Sequence, residues 1–241
     1  MDFVGGTAFE PIGKEFKKYF VELGGLKPDQ KVLDVGCGIG RMAVPLTGYL
    51  SLEGGYWGFD IVKMGIKWCQ NRITPKFPNF HFVHSDIYNR HYNSKGKIQA
   101  REFRFPFEDN FFDFAFLTSV FTHMLPPDLE HYLAEIARVL KPGGTCFITF
   151  FLLNPESKPL VRAGQSALKF VYEVPGTGGN CWTVDEKDPE GAIAYEEEVV
   201  RNLFGKYGLR IAEPIQYGMW CKRPKFLSYQ DIIVAMKGTG R

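Results

Sequence analysis

The chain has 241 residues, 45% hydrophobic and 23% charged, with 29 basic against 27 acidic side chains and a net charge of +2. That length suits one large α/β domain, and so balanced a charge supplies no broad field for drawing in nucleic acid or a membrane. The longest apolar run, around Phe147 to Leu153, is too short to span a bilayer, and Asp2 with two early glycines stands where a basic leader would begin, so a cytoplasmic location is expected.

Residues 10–23 carry Ile12, Phe16, Tyr19, Phe20 and Leu23 at helical spacing with lysines opposite, and predict a helix packed on a core. "KVLDV" at 31–35 reads as a strand that a parallel sheet buries on both faces. Glycines follow at once, then a helical segment at 41–50. The cycle recurs with strand two at 55–60, a helix at 62–72 and strand three at 79–86, and this alternation predicts a doubly wound parallel sheet. The long interval from Asp86 to Asp113 is rich in Asn, Arg, Lys and Tyr, and connections of such length are commonly functional. Strand four follows at 113–119, an amphipathic helix at 128–140, "KPGG" as its stop, and strand five at 145–153. The alternation breaks between 154 and 192, where prolines and glycines surround Trp182 and suggest a covering segment. A helix at 195–207 would place Glu196, Glu197 and Glu198 at the positive end of its dipole. Segments 209–218 and 228–236 supply closing strands.

The cysteines at 37, 69, 146, 181 and 221 form no CxxC pair, and no histidine pair has metal-ligand spacing. Reduced thiols and no metal site are expected.

Gly36, Gly38 and Gly40 form G-x-G-x-G at the first strand-to-helix turn, where a missing β-carbon permits left-handed dihedrals and close approach of a ligand. A dinucleotide fingerprint would need glycine where Arg41 stands, which argues against a pyrophosphate cradle. Asp60 closes strand two, close to the roughly 20-residue interval at which an acid reaches a ribose in nucleotide-binding α/β folds. Asp34 precedes the glycines and Asp86 closes strand three, so three neighbouring strands bring acids to or near one carboxyl edge. Such a rim repels phosphates and suits S-adenosylmethionine, which offers a sulfonium, an ammonium, ribose hydroxyls and an adenine amine.

With "VLDVGCGIGR", "GFDIV", "HSDIY", "FDFAFLTSVFTHM" and "IARVLKPGGTCFITF" in that order, the chain resembles the class I S-adenosylmethionine-dependent methyltransferases over about residues 30 to 153. The resemblance implies a Rossmann-like, mostly parallel seven-stranded sheet with helices on both faces and an antiparallel closing strand. It implies that Asp34 organises the glycine loop and the methionine ammonium, and that Gly36, Cys37, Gly38, Gly40 and Arg41 form the loop beside the methionyl part. Asp60 would hold the ribose, Asp86 would accept from the adenine amine, and Ile61 and Ile87 would sandwich the ring. Thr118, Ser119 and Val120 would lie against the methionyl group, and His123 falls where some members place a histidine beside the acceptor. The resemblance suggests no particular acceptor; Tyr195, Trp220 and Tyr229 are candidate linings of its pocket.

The expected reaction is in-line displacement of a methyl group onto an oxygen or nitrogen of a small molecule, leaving S-adenosylhomocysteine, with His123 as the candidate base. Holding the two reactants in line can contribute roughly 7–11 kcal/mol. A small acceptor is favoured because no basic patch, no (D/N)PP(Y/F) after strand four and no Pro-Cys nucleophile are present. Two alternatives remain, a nicotinamide-dependent oxidoreductase and a non-catalytic module that binds the same cofactor. The expected organisation is a single domain over 1–241. Residues 30–153 form its cofactor core, 1–25 and 154–195 cover it, and 196–241 contribute a closing helix and strands.

Overall fold

Residues 8–240 are described in the computed structural model; residues 1–7, most of the expected N-terminal cover, lie outside the described residues, as does residue 241. The chain runs α1 (Phe9–Glu22), β1 (Lys31–Val35), α2 (Ala43–Leu46), β2 (Gly55–Asp60), α3 (Lys63–Arg72), β3 (Phe80–His84) and β4 (Phe112–Leu117). It continues through α4 (Pro126–Val139), β5 (Leu140–Phe150), β6 (Leu152–Leu153), α5 (Ser157–Arg162), β7 (Tyr172–Glu173), β8 (Cys181–Thr183) and β9 (Ile193–Glu196). It closes with α6 (Glu197–Lys206), β10 (Leu209–Ile211) and β11 (Asp231–Lys237).

Seven strands form one sheet in the order β10-β11-β5-β4-β1-β2-β3, in which β11 alone runs antiparallel to its neighbours. The expected fold class is therefore the observed one. Both sheet faces are covered, which is why the central strands carry little polar alternation. Leu33 and Val35 pack with α4 and α6 on one face, and Val32 packs with α1, α2 and α3 on the other. The α1 face is anchored by Phe20, whose ring stacks 4.3 Å from Phe116 and meets Phe147 edge-on at 4.9 Å.

Several elements differ from the sequence reading. The helix expected over 41–50 is a single turn, α2, because Pro45 and Gly48 oppose its growth. "KPGG" does not stop α4 from outside the sheet: it bulges within β5, where the register jumps from Phe112 opposite Leu140 to Phe114 opposite Thr145. Strand three ends at His84, so Asp86 lies beyond it. The strand expected over 209–218 is only β10, since Pro214 has no N–H for a ladder.

A second sheet, β6-β9-β8-β7, was not expected. Its strands β7, β8 and most of β9 lie in the 154–195 covering segment, and it takes Tyr195 out of the expected helix, pairing it with Cys181. The helix starts at Glu197, with Glu197 and Glu198 in its first turn, while Glu196 stands before it and pairs with Lys158 at 2.6 Å. Phe151, Phe170 and Trp220 build a separate small core under this sheet.

Candidate functional site

At the carboxyl edge of the large sheet, the turn after β1 continues the ladder for two residues, because the Gly36 and Cys37 N–H groups both donate to the Phe59 carbonyl at 2.9 and 3.1 Å. Gly36 adopts φ +82°, and a β-carbon there would sit 2.6 Å from Val120 Cγ2. Only glycine fits both conditions. Gly38, at φ +55°, has open space where a β-carbon would be, and its N–H donates to Asp60 Oδ2 at 2.7 Å. Val62 N–H donates to the other carboxylate oxygen at 2.7 Å. Two amides thus fix the Asp60 carboxylate at the end of β2 and oppose the upward push that burial gives its pKa.

Asp34 is the more exposing case for electrostatics. Its side chain is buried, Oδ2 accepts from the Tyr56 hydroxyl, and Oδ1 has no partner among the described residues. Desolvation pushes its carboxyl up to about 8; the Tyr56 bond opposes this and the nearby Asp60 adds to it. A buried carboxyl oxygen that receives no hydrogen bond is costly alone and, ionised by an arriving cation, strongly attractive to a cationic donor.

Two adjoining cavities, of about 310 and 410 Å³, meet at these groups and share Gly36, Gly38, Tyr92, Thr118, Ser119 and His123 in their walls. The first holds Asp60, Ile61, Ile87 and Val120, and the second holds Asp34, Cys37, Arg41 and Tyr229. Most of the residues singled out in the sequence are therefore brought together. Four are not. Gly40 lines neither cavity; a β-carbon there would meet Cys69 Sγ and Ile73 Cδ1, both at 3.0 Å, so its role is to let α3 approach. Asp86 also lines neither cavity, and its carboxylate accepts from Asn93 Nδ2 at 3.3 Å. Tyr195 is core, its hydroxyl donating to the Met124 carbonyl at 2.5 Å, and Trp220 is core, its indole N–H donating to Asp231 at 2.8 Å. Cys37 lines the wall, yet burial together with Asp34 and Asp60 raises its thiol pKa, which makes it a poor nucleophile.

His123 sits on a short 3-10 turn, Phe121–His123, after β4. Its Nδ1 lies 2.9 Å from the Glu190 carbonyl, a group that can only accept, so Nδ1 carries the proton and Nε2 keeps its lone pair. Burial holds the ring's pKa below the ordinary histidine range. Ser119, just before, has φ +59°, an uncommon conformation for a side-chain-bearing residue. It is pinned by its N–H to Thr149 Oγ1 at 2.8 Å and by its hydroxyl to Gln230 Oε1 at 3.1 Å.

Sequence reasoning missed Tyr92, Gln99, Asp128, Glu190 and Gln230 in the walls. The length of the 86–113 connection marked the first two as a region without naming a residue. Nothing local marks Gln230, which reaches the cavity from the far end of the chain. Among the described residues no cluster of three or more metal-ligating side chains occurs.

Residues 33–148 match the family model described as a methyltransferase domain. This stretch, a little under half of the chain, is similar to that methyltransferase domain. Over 154 residues, 64% of this chain, the sequence is 32% identical to a sterol 24-C-methyltransferase of Schizosaccharomyces pombe, 36% of which is aligned. Over 138 residues, 57% of the chain, it is 36% identical to a phthiotriol/phenolphthiotriol dimycocerosates methyltransferase of Mycobacterium ulcerans, 41% of which is aligned. The chain thus spans well under two thirds of these relatives' length. Among solved structures, a Burkholderia thailandensis 1,6-didemethyltoxoflavin-N1-methyltransferase matches 96% of this chain and 79% of its own at TM-score 0.57 and 18% identity, a likeness of fold.

Proposed function

We propose that the methyltransferase domain binds S-adenosylmethionine and transfers its methyl group to a small-molecule acceptor, releasing S-adenosylhomocysteine. The observation that carries this reading is the buried, unpartnered Oδ1 of Asp34 in the same cleft as the amide-fixed carboxylate of Asp60. Asp34 would receive the ammonium and Asp60 the ribose hydroxyls, with Ile61 and Ile87 against the adenine and Thr118, Ser119 and Val120 along the methionyl side. The bound cofactor supplies an electrophilic methyl on a sulfonium. The chain's own work is to orient the acceptor against that face and to keep water away.

For an oxygen or nitrogen acceptor, Nε2 of His123 would take the acceptor's proton, with the Glu190 carbonyl fixing the tautomer. Because burial lowers its pKa, the base form persists through neutral pH and the rate should fall only on acidification below the ordinary histidine range. Replacing His123 by Asn should lower turnover by roughly 10²–10⁴ if it is the base. A carbon acceptor is the second reading, favoured by the sterol relative's name as a C-methyltransferase. Residues 154–195 would serve as the cover, since Glu190 holds His123 and Asp188 lies 2.9 Å from His91 Nε2.

The test has two parts. Calorimetry should show S-adenosylhomocysteine binding, weakened in Asp60→Ala by roughly 1.5–3 kcal/mol as charge-assisted hydrogen bonds are lost; absence of binding, or binding of NADH instead, defeats the reading. Methyl-labelled S-adenosylmethionine incubated with a metabolite library should label a product, whose methylated atom separates the two acceptor readings. Tight cofactor binding with no labelled product would favour a non-catalytic module.

A further inference from the structure

Two segments pack together, one carrying α5 and the other ending at the wall of the second cavity. Residues 157–172 and 216–230 are joined at Trp220, whose carbonyl accepts from the Ala167 N–H at 3.1 Å and the Ser166 hydroxyl at 3.2 Å, and whose ring lies 5.4 Å from Phe170. The later loop doubles back as a hairpin: Met219 N–H donates to the Ser228 carbonyl at 2.9 Å, Trp220 N–H to Tyr229 at 3.1 Å, and Leu227 N–H to Tyr217 at 3.2 Å. Its inner side is fixed by the buried Arg223–Asp231 pair at 2.8 Å, and α1 braces it through the Tyr19 hydroxyl, which donates to the Leu227 carbonyl at 3.0 Å.

The outer side is the unusual one. Met219 is 42% exposed, Phe226 53% and Tyr229 46%, and the adjoining loop adds Val171 at 51% and Tyr172 at 45%. Neither loop contains an Asp or a Glu. Glu156 and Glu173 flank the first segment; Lys158 is neutralised by Glu196, and Arg223 by Asp231 and Glu156, whereas Arg162, Lys169, Lys222 and Lys225 are exposed and in no ion pair among the described residues. Exposed apolar side chains are ordinary when scattered, but their concentration beside unpaired cations on a braced surface marks a contact site.

We propose that this face is a peripheral docking surface for an anionic phospholipid bilayer. Cations meet the headgroup phosphates while Phe226, Met219 and the tyrosines enter the interfacial layer. A second copy of the chain fits poorly, because a two-fold contact would set these unpaired cations against their own counterparts. The net charge of +2 is no obstacle, since the headgroups sense the local cluster and charges beyond a screening length contribute little. Tyr229 belongs both to this face and to the wall of the second cavity, so the docked cavity would open beside the lipid. Resting on the methyltransferase reading, the acceptor is then an amphiphile taken from the bilayer; docking itself does not depend on that reading.

Co-sedimentation with vesicles tests the proposal, using phosphatidylcholine alone and phosphatidylcholine mixed with phosphatidylglycerol. Binding to the anionic vesicles is expected at roughly 0.1 M salt and should be largely lost near roughly 1 M, where the screening length falls from about 10 to about 3 Å. Lys222→Glu/Lys225→Glu and Met219→Ser/Phe226→Ser should each weaken it about tenfold or more, with S-adenosylhomocysteine affinity unchanged. Should a hairpin variant fail to fold, Lys169→Glu/Val171→Ser on the other loop serves in its place. No vesicle binding, equal binding to neutral vesicles, or a concentration-dependent dimer abolished by the same variants would overturn the proposal. Failure of S-adenosylhomocysteine to bind would overturn the enzymatic reading and leave docking standing.

Discussion

The two walls of the cleft are built on different principles. The wall proposed to hold the cofactor, from Asp34 to Ile87, consists of groups within a few residues of strand ends, and its main contacts join neighbouring strands, as Gly38 to Asp60 and Gly36 to Phe59 do. The opposite wall, with His123, Tyr229 and Gln230, is held by contacts across long sequence separations. His123 meets Glu190 67 residues on, and Ser119 meets Gln230 111 residues on. Behind Gln230, Asp231 accepts from Leu152 and Gly218 N–H groups, the Trp220 indole and Arg223, tying the hairpin to the start of the second sheet. One wall is a property of the parallel sheet edge, and the other depends on a buried polar hub.

The contrast breaks most readily at that hub. Asp231→Ala would leave Arg223 without its buried carboxylate, keeping only the exposed Glu156 at 3.2 Å, and three further donors unpaired, and removing one partner of a buried pair costs about 3–5 kcal/mol. Thermal or urea unfolding should show a loss of that size; wild-type stability would mean the hub holds nothing.

A smaller, opposite pattern is expected at Asp34. Asp34→Asn should weaken S-adenosylhomocysteine by about 1.5–3 kcal/mol through loss of a charge-assisted bond, yet stabilise the ligand-free protein at neutral pH. The sign follows from its carboxyl being pushed up to about 8 by burial, so the folded state holds the proton more tightly than the unfolded one. Its contribution to stability is therefore complete below pH about 4 and is lost as pH rises towards about 8. Melting temperature measured across that window should decline in the wild type and decline less in the variant. An identical decline in both would show that Asp34 is not the titrating group.

The least effect belongs to Asp86→Asn. Because that carboxylate lies outside both cavities, S-adenosylhomocysteine affinity should change by no more than about 0.5 kcal/mol. A loss comparable to that of Asp60→Ala would return Asp86 to the adenine.

Most of the wall proposed for the cofactor was legible because a parallel strand buried on both faces announces itself, and a glycine bend and an acid at its tip are short-range features. The misreadings follow one rule. Asp86 was placed by assuming that strand three ran two residues further than it does. Tyr195 and Trp220 were candidates because aromatic character is visible in sequence, whereas the direction of a side chain is not. The four-stranded sheet was illegible because its strands are only two to four residues long, too short for a period to show.

The sequence by itself determined the large sheet, the glycine turn and the carboxylates of Asp34 and Asp60 at its edge, since each depends on residues adjacent in the chain or on the regular repeat of strand and helix. Only the tertiary structure decided which aromatic faces the cavity, which nitrogen of His123 keeps its lone pair and where Gln230 arrives. Those outcomes depend on partners tens of residues away, and a pattern of hydrophobicity records that a side chain is buried without recording what it is buried against.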